Sequence, residues 1–497
     1  MVTSKKDANN RFDYWRIAAV AFATVLVVLN LLRIFDNNFW GDEAFTIRLA
    51  GMNVPDMLQA TAEDVHPPLY YGIVQLFCKV FGYTGVVYHL ASFVPYVLVI
   101  VLALSVIWKW FGMEASILLI TLTSLLETAV SFHVEVRMYS WGSLFMLASF
   151  LALYSIFTEN RTRDYVWFVL ASLAGAYTHY YCLVSVAFFY IILIGLSLIK
   201  REAYLKKTLI ACLVTVAAYL PWLIVLLQTF QRTMGDFWMT NIPYLKDCFA
   251  YLFSGKLQYV LFVIMLAAVI LTVWYQRKEP GKVLWLAAGM SSIFGTILVG
   301  NLVSRIFRPV FIVRYLYPVA IIAWVLLAVG IAGCKYKRLY CTILTVALLV
   351  TCIPQYVYTF QTEKSQDALL AQTLAATAEI TGEDAVILTN LEYLDWTVLD
   401  YYYPDVEHIL LDTAEIPVLD KEHTYWIMLQ GEVPADIEAQ LEAQGYAADA
   451  VVENGTLGTN PVRIYKLNKN DNKYKWALVK MGAHLCLLLL DNSQFPI

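Results

Sequence analysis

Long apolar runs recur from residue 15 to residue 359, and they constrain the fold more than any other feature of the sequence. Each run has about 18 to 25 residues, enough for an α-helix to cross the hydrocarbon core of a bilayer. Of the 497 residues, 60% are hydrophobic and only 15% are charged, whereas soluble domains carry about 25% charged residues. The sequence therefore predicts a polytopic α-helical membrane protein with about 11–13 transmembrane helices. The runs lie near residues 17–35, 86–108, 113–131, 140–158, 165–179, 181–199, 208–228, 248–275, 283–303, 314–333 and 340–359.

The basic loops predict how these helices are oriented, because lysine and arginine concentrate on the cytoplasmic side of membrane proteins. The basic stretches that we expect in the cytoplasm are 5–16, 161–163, 200–207, 277–282 and 335–338. Alternation then places residues 42–66, the turns near Arg137 and His179, the loop 229–247 and everything after Tyr358 outside. We expect a multi-pass protein of a bacterial plasma membrane. The apolar stretch 67–82 has only about sixteen residues, so we expect a surface-lying or partly inserted helix, or one crossing of a pair.

The composition changes after the last apolar run, which predicts a transmembrane domain over 1–359 and a separate domain over 360–470. The second segment holds about twenty acidic and about five basic residues. Ala385–Leu388, His408–Leu411, Tyr425–Leu429 and Val462–Lys466 read as strands and Ala435–Ala443 as a helix, so we expect a small extracytoplasmic α/β domain. The tail 471–497 stays unassigned.

Asp42 and Glu43 directly follow the first apolar run, in the segment Trp40-Gly41-Asp42-Glu43-Ala44. Two adjacent carboxylates at a membrane surface are costly, because each disfavours the ionised form of the other. One interpretation is that they cap a surface helix, since acidic residues suit a helix N-terminus. The other is that Asp42 acts as a general base or forms part of a cation site.

Further polar residues are expected on the same side of the membrane, which favours a site there. Arginine binds an anionic phosphate well, because its planar fork reaches two oxygens at once. Arg137 and Arg314 are therefore candidates for binding phosphate, although an arginine at a helix end also reaches lipid headgroups. His179 is a candidate for the site or a hydrogen-bonded structural residue. The other polar residues of these turns that we assign to the site are His66, Glu135, Tyr139, Tyr180 and Tyr315.

Four motifs follow one another in the order typical of GT-C fold glycosyltransferases. Over roughly residues 10–330 the chain resembles the bacterial branch related to protein O-mannosyltransferases and the lipid A aminoarabinose transferase. Glu63-Asp64-Val65-His66 departs from the Lys-Pro-Pro variant of the aminoarabinose enzymes, so their sugar is not implied. The C-terminal domain is not the repeated β-trefoil module of eukaryotic mannosyltransferases, so protein acceptors are not implied either. The motifs are Trp40-Gly41-Asp42-Glu43-Ala44, His66-Pro67-Pro68-Leu69-Tyr70-Tyr71, Glu135-Val136-Arg137-Met138-Tyr139 and Arg314-Tyr315.

The resemblance implies an inverting transfer of one sugar from a polyprenyl-phosphate donor to an acceptor outside the cytoplasm. By this analogy Asp42 is the catalytic base, and Glu43 assists it or binds a divalent metal. His66 lines the site, while Arg137 and Arg314 bind the donor phosphate, with Tyr139 and Tyr315 beside them. Glu135, His179 and Tyr180 complete the predicted substrate site.

The chemistry of these residues fits the same reaction without the resemblance. A carboxylate can take the proton of the acceptor hydroxyl, and an arginine can stabilise the charge of the leaving phosphate. No cofactor is certain, and a metal is not required if the arginines neutralise that charge. The alternative is a transporter or flippase of a lipid-linked sugar, which would carry its ionisable groups near the bilayer midplane. No nucleic-acid partner is expected.

Overall fold

The computed structural model describes residues 14–232, 241–390, 393–411, 416–420 and 422–469, so the unassigned tail 471–497 lies outside the described residues. The chain divides into two compact units. The first comprises Met1–Asp36 and Leu49–Gln361, and the second comprises Asn37–Arg48 and Thr362–Ile497. The short segment that carries Asp42 and Glu43 is therefore grouped with the C-terminal residues.

Helices make up the regular structure of the first unit. Two helices, α2 and α17, extend past its boundaries into the second unit. In chain order the helices are α1 (Tyr14–Leu31), α2 (Gly41–Gly51), α3 (Val54–Glu63), α4 (Leu69–Phe81), α5 (Gly85–Leu102), α6 (Trp108–Phe111), α7 (Met113–Leu125), α8 (Glu127–Phe132), α9 (Tyr139–Glu159), α10 (Thr162–Ala176), α11 (Tyr180–Ile199), α12 (Arg201–Arg232), α13 (Leu245–Tyr251), α14 (Gln258–Tyr275), α15 (Pro280–Ile306), α16 (Tyr317–Ala332) and α17 (Lys337–Ala376).

Among the described residues, nine helices are long and apolar enough to cross a membrane. Two shorter apolar helices, α4 and α7, accompany them. The 13 residues of α4 span only about 20 Å at 1.5 Å per residue. This length is too short for a full crossing of a core about 30 Å thick.

Two of the predicted apolar runs are interrupted. The run 113–131 ends its first helix at Leu126, whose backbone is extended, and α8 begins at the next residue. The run 248–275 breaks between α13 and α14, where Gly255 has a φ of +112°, a conformation that only glycine adopts readily. Polar residues occur at both breaks, and these residues line a cavity described below.

Helix α16 forms the centre of the first unit. Every residue from Tyr317 to Ile331 is buried, and α7, α9, α14 and α15 pack around it. A helix that is apolar on all sides is expected at such a position. Helix α12, by contrast, exposes apolar side chains such as Leu213 and Val216, as lipid-facing surfaces do. The 3₁₀ turn Val313–Leu316 leads into α16 and so rests on the best-packed helix of the unit.

The second unit contains one five-stranded sheet of order β2-β1-β3-β5-β4. Strand β1 is parallel to β2 and β3, whereas β5 is antiparallel to both β3 and β4. The elements are β1 (Ala385–Thr389), α18 (Tyr393–Tyr402), β2 (Glu407–Leu410), β3 (Thr424–Leu429), α19 (Ala435–Gln444), β4 (Tyr446–Leu457) and β5 (Asn460–Lys469).

Both faces of this sheet are covered, because side chains alternate between faces along a strand. Ile387 and Met428 belong to a cluster on one face, which also includes Ala44 of α2. Leu388 and Ile427 belong to the cluster on the other face. The predicted small α/β domain is confirmed. The sequence did not predict strand β4, because two register shifts interrupt the alternation of its side chains between the two faces of the sheet.

Candidate active site

The doublet Asp42 and Glu43 lies in the first turn of α2, and the Glu43 carboxylate accepts a hydrogen bond from the Trp40 backbone N–H at 3.3 Å. A residue that caps a helix makes this kind of hydrogen bond, so the contact of Glu43 agrees with the capping interpretation. Acidic groups at this end of a helix also interact favourably with the helix dipole. Both residues are buried.

C-terminal residues hold the segment that leads into this turn. The Tyr402 hydroxyl accepts a hydrogen bond from the Phe39 N–H at 2.9 Å and donates one to the Asn37 carbonyl at 2.7 Å. The Thr397 hydroxyl donates to the Gly41 carbonyl at 3.1 Å. More than 350 residues of sequence separate these partners. The position of the doublet within the second unit is therefore set by tertiary contacts, not by its neighbours in sequence.

A glycine in the β4–β5 turn completes this support. A Cβ added at Gly458, which has a φ of +60°, would lie 2.7 Å from the Phe39 carbonyl oxygen. Only glycine allows the turn to approach the Phe39 backbone so closely in this conformation.

In the first unit, His66 precedes the Pro-Pro pair and is buried. Its Nδ1 lies 3.1 Å from a carboxylate oxygen of Asp64, and the Tyr71 hydroxyl donates to the same oxygen at 3.3 Å. Burial raises the pKa of Asp64, but the charge and hydrogen bond of His66, with a smaller contribution from Arg137, outweigh this effect and hold the pKa below its usual value. Asp64 is therefore ionised at neutral pH and orients the His66 ring.

His179 begins α11, where its Nδ1 accepts a hydrogen bond from the Tyr181 backbone N–H at 3.2 Å. Burial, followed by the nearby His66, Arg137 and Arg314, holds the pKa of His179 well below its usual value. The ring is therefore neutral. Since Nδ1 is an acceptor, the proton lies on Nε2, which makes His179 a hydrogen-bond donor at neutral charge.

Aromatic rings connect these histidines to the late Arg-Tyr motif. The His179 ring centroid lies 5.2 Å from that of Tyr315, 5.7 Å from that of Tyr139 and 6.2 Å from that of His66. His66 lies 6.3 Å from Tyr315. Residues from three of the sequence motifs, together with His179, thus form one cluster in the first unit.

Two arginines belong to the same cluster. Arg137 and Arg314 are both close enough to Tyr139 and His179 to act on them electrostatically, and Glu135 acts on Tyr139 as well. Arg137 is only 2% exposed. A guanidinium so deeply buried is costly unless anionic groups or a ligand compensate its charge, and Asp64 is one such group.

A cavity opens beside this cluster, and we call it the apolar cavity. Its volume is about 200 Å³. Tyr180, whose hydroxyl accepts a hydrogen bond from the Trp222 indole at 3.2 Å, also lines it. The apolar cavity is lined chiefly by valine, leucine and aromatic side chains of α11, α12 and α15. Its polar groups are those of His66, His179, Thr229, Arg308, Tyr180, Tyr181 and Tyr315.

The structure thus brings together most of the site residues predicted from the sequence. His66, Arg137, Tyr139, His179, Arg314 and Tyr315 form the cluster, Glu135 neighbours it, and Tyr180 lines the adjoining cavity. Asp42 and Glu43 belong to the other unit. The roles of all these residues stay predictions.

Three residues of the site were not assigned a role from the sequence. Asp64 and Arg308 are polar residues close in sequence to His66 and Arg314, which was the available signal for them. Tyr181 has its ring 5.5 Å from that of Tyr315, and its place two residues after His179 was the available signal.

The chain is similar in structure to ArnT from Cupriavidus metallidurans. Superposition on the apo state of ArnT gives a TM-score of 0.60 at 12% sequence identity, and the match covers 91% of this chain and 98% of ArnT. ArnT bound to undecaprenyl phosphate gives a TM-score of 0.56 at 13% identity, covering 92% and 98%. This chain has the ArnT fold. No protein-family model matches the chain, and the search of the curated proteins found no match.

This likeness confirms the predicted fold, a polytopic membrane protein of the GT-C kind with a small C-terminal α/β domain. At 12% identity the likeness extends to the fold alone. The assignment of a reaction depends on the residues of the site.

Proposed function

We propose that this chain is a membrane glycosyltransferase that transfers a sugar from a polyprenyl-phosphate donor to an acceptor outside the cytoplasm, with inversion. The observation that carries the proposal is the cluster of Arg137 and Arg314 with two histidines and two tyrosines beside an apolar cavity. Such a site suits an amphiphile with an anionic head and an apolar chain. ArnT, which shares the fold, has been crystallised with undecaprenyl phosphate, a ligand of this chemistry.

The donor phosphate is proposed to bind Arg137 and Arg314. A guanidinium donates two parallel hydrogen bonds to phosphate oxygens, and in a site shielded from water this attraction is far stronger than in solution. Neutral His179 adds a donor on Nε2 without further charge. Tyr139 carries a hydroxyl close to both arginines and to Tyr315. These groups also stabilise the phosphate as it leaves.

The reaction itself is a single displacement. The acceptor oxygen attacks the anomeric carbon, and the bond from that carbon to the phosphate oxygen breaks with its electron pair going to the phosphate. The acceptor hydroxyl gives its proton to a carboxylate, a step worth about 10²- to 10⁴-fold in rate. We propose Asp42 as this base. Its neighbour Glu43 supports the turn through the Trp40 N–H.

The residues present do not fit a resident metal ion. Among the described residues, no group of three or more His, Cys, Asp or Glu side chains is placed to hold one. Two adjacent carboxylates alone make a weak site for Mg²⁺ or Ca²⁺, which need about six or more oxygen ligands. The proposed mechanism therefore assigns no step to a metal on Glu43, and the arginines neutralise the leaving phosphate.

The side of the membrane follows from the basic loops. Segments such as 161–163, 277–282 and 335–338 favour the cytoplasm, and this leaves the turns of Arg137, His179 and Arg314 outside. A transferase there draws on a lipid-linked donor, because nucleotide sugars stay in the cytoplasm. We propose a cell-envelope glycan, lipid or protein as the acceptor.

The test measures release of undecaprenyl phosphate from radiolabelled undecaprenyl-phosphate sugars in membrane vesicles that contain the chain. We expect Asp42→Asn to lower the rate by about 10²-fold or more without changing binding of undecaprenyl phosphate. The double variant Arg137→Gln with Arg314→Gln should instead weaken that binding. Matched controls are Asp56→Asn and Arg305→Gln, which alter exposed residues that belong neither to the cluster nor to the lining of the apolar cavity.

The outcomes separate the proposal from its rivals. An Asp42→Asn protein that releases lipid phosphate at the wild-type rate would refute Asp42 as the base. Movement of the labelled donor across the membrane without release of lipid phosphate would identify a transporter. A wild-type chain that binds neither undecaprenyl phosphate nor its sugar conjugates would end the proposal altogether.

A further inference from the structure

A second cavity lies on the other side of the 3₁₀ turn that carries Arg314 and Tyr315. We call it the polar cavity. Tyr315 lines the apolar cavity, whereas Arg314 lines the polar one. Its volume of about 520 Å³ falls within the range of about 300–1,000 Å³ typical of small-molecule sites. Its polar lining residues are Glu127, Thr128, Ser131, Asp247, Tyr251, Ser254, Gln258, Tyr259 and Arg314.

The walls of the polar cavity are fixed in place. Trp324 of the buried helix α16 donates its indole N–H to the Leu252 carbonyl at 2.7 Å. The Ser254 hydroxyl lies 2.9 Å from the Thr128 N–H and 2.8 Å from the Thr128 hydroxyl. These bonds join the segment after α13 to the start of α8. The cavity is thus a built feature of the first unit, at the two points where the apolar runs break.

The chemistry of the lining does not suit a second phosphate. Glu127 and Asp247 are both carboxylates, which repel an anion and accept hydrogen bonds from hydroxyl groups. The serine and threonine hydroxyls, the Gln258 amide and the aromatic rings of Tyr251 and Tyr259 add donors, acceptors and flat apolar faces. This mixture suits a ligand with many hydroxyl groups, that is, a sugar ring.

Tyr251 is the residue that connects this cavity to the cluster. Its hydroxyl is buried and has no hydrogen-bond partner among the residues that the structure describes. Burial, reinforced by Tyr139, Tyr317 and Glu135, raises the pKa of Tyr251 well above its usual value, despite the opposing charge of Arg314. The hydroxyl therefore stays protonated. A buried hydroxyl without a partner is unfavourable, and a hydrogen-bonding ligand would supply the missing partner.

We infer that the polar cavity binds the glycosyl group of the donor. This inference rests on the proposed function, in which Arg314 binds the donor phosphate. The sugar is bonded directly to that phosphate, so it must lie within a few bond lengths of Arg314. The donor then occupies both cavities, with the isoprene units next to the phosphate in the apolar cavity and the sugar ring in the polar one. An acceptor sugar has the same chemistry, and the experiment separates these two sources.

The experiment compares the affinities of the full-length chain in nanodiscs for undecaprenyl phosphate and for three conjugates. The conjugates carry glucose, mannose or 4-amino-4-deoxyarabinose, and the tightest-binding one is used for the variants. We expect Asp247→Asn and Tyr251→Phe each to weaken binding of the conjugate about tenfold, which corresponds to about 1.4 kcal/mol. Binding of undecaprenyl phosphate should change less than twofold. The control Glu279→Gln removes an exposed carboxylate elsewhere and should change neither affinity.

Three results would overturn the inference. In the first, the wild-type chain would bind no conjugate more tightly than undecaprenyl phosphate. In the second, the variants would weaken binding of the conjugate and of undecaprenyl phosphate equally. In the third, both variants would retain full affinity for the conjugate, and slower release of lipid phosphate would then show that the cavity serves the acceptor instead. Failure of the proposed function has a different signature, since the wild-type chain would then bind no undecaprenyl phosphate at all.

Discussion

The Tyr402 hydroxyl offers the sharpest test of how the C-terminal residues serve the reaction. It accepts from the Phe39 N–H at 2.9 Å and donates to the Asn37 carbonyl at 2.7 Å, and the segment that it holds leads directly to Asp42. Tyr402→Phe removes both bonds and keeps the ring. If Asp42 is the base, the C-terminal domain holds the base in position, and Tyr402 is a positioning residue.

The magnitude follows from the two bonds. Each is worth about 1 kcal/mol net, so their loss costs about 2 kcal/mol. If the full amount is expressed in the transition state, kcat falls about 30-fold, because each 1.36 kcal/mol is about one factor of ten. Positioning of a base affects the chemical step and leaves the groups that bind the donor unchanged. We therefore expect a lower kcat with an unchanged KM for the donor.

The assay is release of undecaprenyl phosphate from its labelled sugar conjugate, measured with the pH profile and the thermal unfolding midpoint. Tyr401→Phe is the matched control. The Tyr401 ring lies 5.2 Å from that of Phe39, but in the described part of the chain its hydroxyl makes no hydrogen bond. A kcat for Tyr402→Phe equal to that of Tyr401→Phe would refute the reasoning. So would a loss that appears wholly in the donor KM.

Two further predictions concern stability in detergent. His179 has a folded-state pKa well below its unfolded value of about 6.5, so below that pH only the unfolded state gains the proton. As the pH falls, the free energy of unfolding should then decrease by up to about 1.4 kcal/mol per pH unit. In thermal unfolding scans between about pH 6.5 and 5, His179→Gln should remove this pH dependence. An unchanged pH dependence in the variant would contradict a buried neutral ring. A Cβ at Gly330 of α16 would lie 2.8 Å from the Ala268 Cβ and 3.2 Å from the Ala268 backbone carbon, which no side-chain rotation can move, so Gly330→Ala should cost about 1–3 kcal/mol. Gly195→Ala is its control, with no atom within 4 Å of the added Cβ, and equal midpoints for the two variants would refute the packing argument.

Length and hydrophobicity were enough to predict most of the membrane helices. Runs such as 181–199 and 283–303 correspond to α11 and α15, because a helix that crosses a bilayer must satisfy its own backbone and be apolar over its whole length. The breaks at Leu126 and Gly255 are marked only by short polar stretches, Glu127-Thr128 and Ser254-Gly255-Lys256, inside otherwise apolar runs. Tertiary packing against α16 and the Trp324 hydrogen bond set their positions.

In the second unit, too, the sequence predicted the continuously apolar elements and not the irregular ones. Strands β1 and β3 are buried on both faces and read as continuous apolar runs, as central strands of a parallel pair do. Strand β4 lies at the edge of the sheet, with exposed residues and two register shifts. Its sequence lacks the period of two that identifies a half-buried strand.

The sequence identified most residues of the candidate site, but it did not show that these residues lie close to one another. Each arginine, histidine and tyrosine of the cluster follows or precedes an apolar run, where a charge is expensive and has to be compensated. That signal is local, so it marks residues one motif at a time. Their distances depend on how α9, α11 and α16 pack, which the apolar pattern leaves open because α9 and α16 are buried on nearly all sides.

The doublet illustrates why sequence neighbours mislead about tertiary partners. Asp42 follows the first apolar run, and that order suggested a place in the transmembrane domain. The contacts that hold its segment come from Thr397, Tyr402 and Gly458. The capping and catalytic interpretations are also compatible, because Glu43 makes the capping bond and leaves the role of base to Asp42. A carboxylate that acts as a base needs a rigid support, and here the supporting groups lie at the far end of the chain. Substitutions in the C-terminal domain should therefore affect the rate of the reaction even where they touch no substrate.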